Sequence, residues 1–165
     1  MQNVSGFGLG ITLLALQSFP MGFPLSQFAD DVAPIEVFPT EAVGYEMLYD
    51  NTLFAFDKAA PVRLAVSVIP DTSDDINLKI LLQARKATSS LIPLPDITSI
   101  VISYSNGGIV MLTNGTILSG PLADTIIPTG RKRGNTYNFV FGTFSGVQNT
   151  SELISSVAQA ALGLF

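Results

Sequence analysis

Asp30-Asp31 and Asp74-Asp75 are the only adjacent carboxylate pairs in this chain, and Arg131-Lys132-Arg133 is its one cluster of three bases. Paired carboxylates can share a proton for acid/base work or hold a hard cation, and clustered bases can hold phosphate. Adjacent residues on a strand point to opposite faces, so neither pair forms a shared acid/base site unaided. Asp74-Asp75 fits the first turn of a helix, where the dipole favours negative charge. Calcium or magnesium binding stays open for both pairs, although neither matches the spacing of a calcium loop. The basic cluster reads as a phosphate or nucleic-acid contact, as an ion-pair partner for acids on a neighbouring copy, or as a solvated turn.

Most other catalytic equipment is missing. The chain has no His, Cys or Trp. No side chain therefore titrates unaided near neutral pH, and there is no imidazole or thiolate for a metal or a nucleophilic pair. The segments Gly6-Phe7-Gly8-Leu9-Gly10 and Gly107-Gly108 lack the Lys-Ser or Lys-Thr ending of a phosphate loop and read as turns and bulges. The expectation is a protein that is not an enzyme and uses no cofactor.

The composition points to surfaces instead. Of 165 residues, 47% are apolar and 13% charged, and mean hydropathy is +0.44. One domain of this size buries roughly 70% of its unfolded surface, which leaves much apolar area to be covered elsewhere. A subunit that completes its burial against copies of itself is expected. Membrane insertion is not, because no stretch reaches the roughly 18–20 uninterrupted apolar residues of a spanning helix. Gly6 to Phe23 has an apolar middle, but the first cationic side chain is Lys58, so it reads as a buried strand rather than a signal peptide. Lack of cysteine agrees with assembly in a cytosol. Residues 1–57 carry seven acids and no base, whereas all eight bases lie from Lys58 to Arg133. Such halves could pair head to tail between neighbours, or the pattern could be chance among few charges. The acidic balance argues against dedicated DNA binding.

The elements that position these groups are mostly strands. Leu9–Leu16 is an apolar run, followed by turn-rich Phe19–Pro24. Ile35–Phe38, Val43–Tyr49 and Thr52–Phe56 are short candidates, with Asp50-Asn51 as a turn. Val62–Ile69 alternates Leu64 and valines against Arg63, Ala65 and Ser67. One helix is expected near residues 73–87, capped by Thr72 or Ser73. Ile76, Ile80, Leu81 and Ala84 would form its apolar face, Leu78 and Leu82 a second strip, and Lys79 and Lys86 the exposed one. Ile97–Ser105, Ile109–Thr113 and Thr116–Leu118 follow as a meander turned at Asn106-Gly107-Gly108 and Asn114-Gly115. The last strand is Asn135–Phe144, with Tyr137, Phe139 and Phe141 on one side. Thr150–Phe165 reads as an apolar helix whose Leu153, Val157 and Leu162 share a face and which must dock on something.

Several segments, in order, resemble phage tail-tube-like proteins. Phe28-Ala29-Asp30-Asp31-Val32-Ala33-Pro34 resembles their F-x-D-D-x-x-P stretch. Val66–Pro70 followed by Asp74-Asp75 and Leu78 with Leu81-Leu82 resembles their strand-to-helix junction. Leu112–Gly115 with Ser119-Gly120-Pro121, and Gly130-Arg131-Lys132 with Tyr137–Phe141, resemble their last hairpin and closing strand. The resemblance implies a mainly β (α+β) fold, an antiparallel β-sandwich or barrel over residues 1–145 with one flanking helix; the apolar C-terminal helical extension over 146–165 is where the chain departs from a plain tube subunit. It also implies a virion protein of a contractile tail, assembled in the host cytoplasm as a six-membered ring among other tail-tube and baseplate proteins, with DNA only as passing cargo. Within that group the chain looks closest to the ripcord proteins that join tail tube to baseplate, with the main tube subunit next. A carbohydrate- or host-binding β module is the reading from another class. Candidate inter-subunit contacts are Asp30, Asp31, Arg131, Lys132, Arg133, Leu153, Val157, Leu162 and Phe165.

Overall fold

The computed structural model describes residues 8–86, 96–105, 107–149 and 163. In chain order the elements are β1 (Gly10–Ala15), β2 (Phe19–Leu25), β3 (Ile35–Val37), β4 (Val43–Met47), β5 (Leu53–Asp57), β6 (Val62–Val68), α1 (Ser73–Arg85), β7 (Thr98–Ser103), β8 (Gly107–Ser119) and β9 (Asn135–Asn149). Seven strands form one antiparallel sheet in the order β2-β1-β7-β8-β9-β6-β3, and β4 pairs with β5 alone. The expected mainly β fold with one helix is what the chain adopts. Phe19–Leu25, read as a turn, is a strand paired with β1, and its bulge near Ala15 absorbs the irregular residues. β9 runs beyond Phe144 because its far half pairs with the start of β8.

The sheet has to curl. In a flat sheet β2 and β6 would stand five strand spacings apart, about 24 Å at about 4.8 Å each. Yet Leu25 ends β2, and Phe28, three residues later, bridges to Val68 in β6. Three extended residues reach only about 10 Å. The two sides of the sheet are therefore rolled towards each other, and inward side chains from both share a single core. Leu13, Leu25, Leu64, Val66, Ile100, Leu112, Tyr137, Phe139 and Phe141 belong to it, with Leu78 and Leu81 of the helix.

Asn114-Gly115 is not a hairpin turn. β8 passes straight through it, and three β8 steps (Leu112 to Gly115) oppose two β7 steps (Ile100 to Thr98). The surplus residue is a bulge with Asn114 at φ 54°, a conformation Asn tolerates. Its effect is on facing. Val110 and Leu112 point into the core before the bulge, Gly115 and Ile117 after it, so parity switches from even to odd. Local sequence signals a positive φ here, but the long β9 partner turns that signal into a bulge.

The helix also rotates from its expected setting. Asp74, Asp75, Leu78 and Leu81 are its buried residues, whereas Ile76 and Ile80 are exposed. Thr72 caps it, its hydroxyl accepting the Asp75 N–H at 3.4 Å. Rotation follows from what the aspartates bind, described below. In β6, Ala65 and Ser67 are buried along with the valines, and the Ser67 hydroxyl is satisfied at 2.9 Å by that of Thr136.

A Cβ at Gly115 would stand 2.7 Å from the Val140 carbonyl oxygen and would overlap the Phe141 ring. Gly115→Ala should therefore lower stability by about 1–3 kcal/mol, the usual cost of overpacking. Asn114→Gly should leave it nearly unchanged, since Gly also accepts positive φ. Chemical denaturation of both variants distinguishes the two effects.

Candidate functional site

The chemistry-bearing residues gather at the first turn of α1, where they join the fold together. Asp74 Oδ2 accepts the backbone N–H groups of Ser26 and Gln27, each at 2.9 Å. Asp75 is wholly buried and accepts the Tyr137 hydroxyl at 2.7 Å and the Asn135 amide at 2.9 Å. Its other oxygen meets Lys79 at 3.0 Å and the Asp71 N–H at 3.2 Å. Lys79 continues to Asp124 at 2.6 Å, and Asp124 also holds Lys132 at 3.0 Å and Asn135 at 2.9 Å. Lys132 closes the network on Asp71. Lys79, expected to be exposed, is mostly buried here.

Two lysines offset most of the charge of this network's three linked carboxylates, Asp71, Asp75 and Asp124. Hydrogen bonds from Lys79, Asn135 and Lys132 hold the Asp124 carboxyl well below the ordinary carboxylate range. Burial opposes the charge on Lys79, but its bonds to Asp124 and Asp75 outweigh that and raise its pKa. Burial, and then the bond to Asp75, push the Tyr137 hydroxyl far above its usual value. With two lysines set among its carboxylates the site is a structural junction and not a cation cage. Asp96 does similar work elsewhere: its two oxygens accept Gln17 N–H at 3.0 Å and Ser18 N–H at 3.1 Å, pinning the β1–β2 turn. Sequence reasoning assigned Asp74-Asp75 to helix-end charge and missed these long-range acceptor roles. The signal available was two acids in the first turn of a helix together with Tyr137 on a buried face.

The other anticipated residues divide. Asp30 pairs with Arg131 within the chain, and Asp31 accepts the Gly134 N–H at 3.2 Å. Arg131-Lys132-Arg133 lie on a small loop whose Ile126 bridges to Lys132 and whose Arg133 N–H bonds to Thr125 O at 2.8 Å. The acidic early segment and the later bases thus meet partly inside one chain, as in Glu41–Lys58 at 2.7 Å. Leu153, Val157, Leu162 and Phe165 lie outside the described residues. Among the described residues no helix is long and apolar enough to cross a membrane.

The conspicuous surface is one the sequence reading passed over as two short strands. The β4–β5 hairpin stands apart from the main sheet, and every residue of β5 is exposed. One face carries Val43, Tyr45 (73% exposed), Met47 (58%) and Leu53. The other carries Phe54 and Phe56, 6.1 Å apart, beside Glu46 opposite Phe54. The Phe56 ring lies over Gly44, in space a Cβ would need. An isolated two-stranded hairpin is marginal in water, and this one exposes apolar residues on both faces.

The family model described as tail fiber protein gp32 matches residues 2–145, and the chain belongs to this family. With that family it is a phage tail protein. No curated protein sequence matches it. Among solved structures, a chain of the anti-feeding prophage (AFP) baseplate, determined by cryo-EM with 6-fold symmetrisation, shares the fold at a TM-score of 0.53. Identity is 12%, and the match covers 89% of this chain and 96% of that one.

Two outcomes check the junction. Tyr137→Phe removes a bond to a buried carboxylate and should cost about 1.5–3 kcal/mol in denaturant unfolding. Asp124 titrates lower folded than unfolded, so its contribution is whole above about pH 4 and is lost as pH falls below that. Asp124→Asn should be less stable at neutral pH and show a flatter loss of stability between about pH 4 and pH 2.

Proposed function

We propose that this chain is a non-enzymatic structural subunit of a contractile phage tail that forms a six-membered ring where the tail tube meets the baseplate. The observation that carries this reading is the β4–β5 hairpin. A chain that leaves Tyr45, Met47, Leu53, Phe54 and Phe56 in solvent on a two-stranded arm has burial still to complete. Similarity to a chain of a 6-fold symmetrised baseplate supports placing that burial in a ring. Contacts of this kind act by number and release, with no turnover. Asp30, Asp31, Arg131 and Arg133 lie at the exposed surface and are proposed to add polar contacts between copies, with the apolar face of 150–165 as a further attachment. The tail-tube and baseplate proteins are its partners, the virion its location, and DNA passes through the ring as cargo.

A second reading is favoured by the family's tail fiber description and by Tyr45 and Tyr49, both exposed on the hairpin. Tyrosines of that kind could form a platform for a host glycan. The main tail-tube subunit is the remaining structural alternative.

Native mass spectrometry and negative-stain microscopy of the purified chain should give rings of six. Long tubes would move the assignment to the main tube subunit. A stable monomer that binds on a glycan array would overturn the ring in favour of host binding. Deleting Thr150–Phe165 should weaken assembly while shifting the Tm by less than about 4 °C, the equivalent of about 1 kcal/mol for a chain this size. Intact assembly with a larger fall in Tm would place that segment in the chain's own core.

A further inference from the structure

The hairpin's exposed phenylalanine face has a fitting counterpart on the same molecule. A groove of 250 Å³ runs between the last turn of α1 and the end of β8, lined by Leu82, Leu118 and Leu122 with Arg85 and Lys86 at its rim. Leu118 and Leu122 are exposed. The groove is thus apolar inside and basic at its edge. Its base at Gly120 lies against the Tyr137 ring, so it is floored by the core and not by a movable side chain.

The hairpin is complementary in both respects. Phe54 and Phe56 share a face with Glu46. Residues 41–58 carry Glu41, Glu46, Asp50 and Asp57 against Lys58 alone, and Lys58 is bonded to Glu41. Among the described residues Glu46 enters no ion pair, so the phenylalanine face presents apolar rings beside an uncompensated negative charge, while Asp57 adds to the arm's charge from the other face. Opposite charge around an apolar centre sets register and rejects self-pairing of like surfaces. Two acidic arms would repel each other, whereas an arm and a basic-rimmed groove attract.

We infer that the Phe54–Phe56 face of one copy's hairpin docks in the Leu82–Leu118–Leu122 groove of a second copy, with Glu46 facing Lys86. Donor and acceptor are different patches, so the contact is head-to-tail, and repetition closes into a ring where the rotation permits. The inference rests on the ring reading above and names the contact that builds it. It also gives the apolar arm a specific cover, with two aromatic anchors entering a leucine-lined pocket and a charge pair at the rim.

The absence of cysteine from the full chain makes a direct test free of background. Glu46→Cys combined with Lys86→Cys should give, under mild oxidation, a ladder of disulfide-linked species beyond the dimer, because each copy offers two different ends. Either single variant should stop at dimers and form them poorly. Glu46→Lys or Lys86→Glu alone should weaken self-association about tenfold in sedimentation velocity, and the pair together should recover most of it. If wild-type rings form but the double-cysteine chain gives no ladder and the charge reversals change nothing, the docking is wrong and the ring reading survives. Efficient dimers from Glu46→Cys alone would replace it with hairpin-to-hairpin pairing. A wild-type chain that stays monomeric at all concentrations sinks both. Lys86→Glu lowering monomer stability without touching assembly would show that the groove is covered by its own chain, and the docking would fall.

Discussion

Asp74 and Asp75 fasten the helix to both sides of a rolled sheet, and the rest of the architecture depends on that double hold. Neighbouring residues in a helix's first turn point about 100° apart, so two adjacent carboxylates can serve two different elements. Asp74 takes the backbone leaving β2, and Asp75 takes Tyr137 and Asn135 of β9. The segment between Leu25 and Phe28 can then cross to β6, and Leu78 and Leu81 are turned into the core. Ile76 and Ile80 are left outside because the aspartates claim the inner face of the first turn.

Burying carboxylates is costly unless each oxygen finds donors. Here the donors are plentiful: backbone amides for Asp74, and for Asp75 a phenol, a carboxamide and an ammonium. Lys79 and Lys132 extend the arrangement to Asp124 and Asp71, so the helix, the loop before β9 and β9 itself are bonded to one another. Residues that looked equipped for acid/base work are spent on holding the scaffold rigid.

The β4–β5 arm is the opposite case. It is tied by its own ladder and by the stacking of Arg63 on Phe38 at its base, 5.7 Å from cation to ring centre. Its apolar residues have no counterpart within the main core. Packed core and exposed arm thus stand side by side in one chain of a tail protein family, on a fold also found in a chain of the anti-feeding prophage baseplate.

The strand pattern was legible because alternation is local. Tyr137, Phe139 and Phe141 on one face of β9, the Thr72 cap and the Asp-rich first turn all follow from a few neighbouring residues. What neighbours contribute from a distance was not legible. Asn114-Gly115 carries the same positive-φ signal whether it ends a strand or bulges it, and the pairing with β9 alone decides. Phe19–Leu25 looks turn-rich until β1 lies beside it. Val43–Tyr49 and Thr52–Phe56 read only as short strands, and it takes the tertiary structure to show that their apolar side chains are exposed. The sequence by itself determined where strands alternate and where the helix begins, since those are set by neighbouring residues. It did not determine which side chains are covered, as buried Asp75 and exposed Ile76 show. Tertiary structure decided which partner each one meets, because hydrogen bonds and packing join residues that are tens of positions apart along the chain.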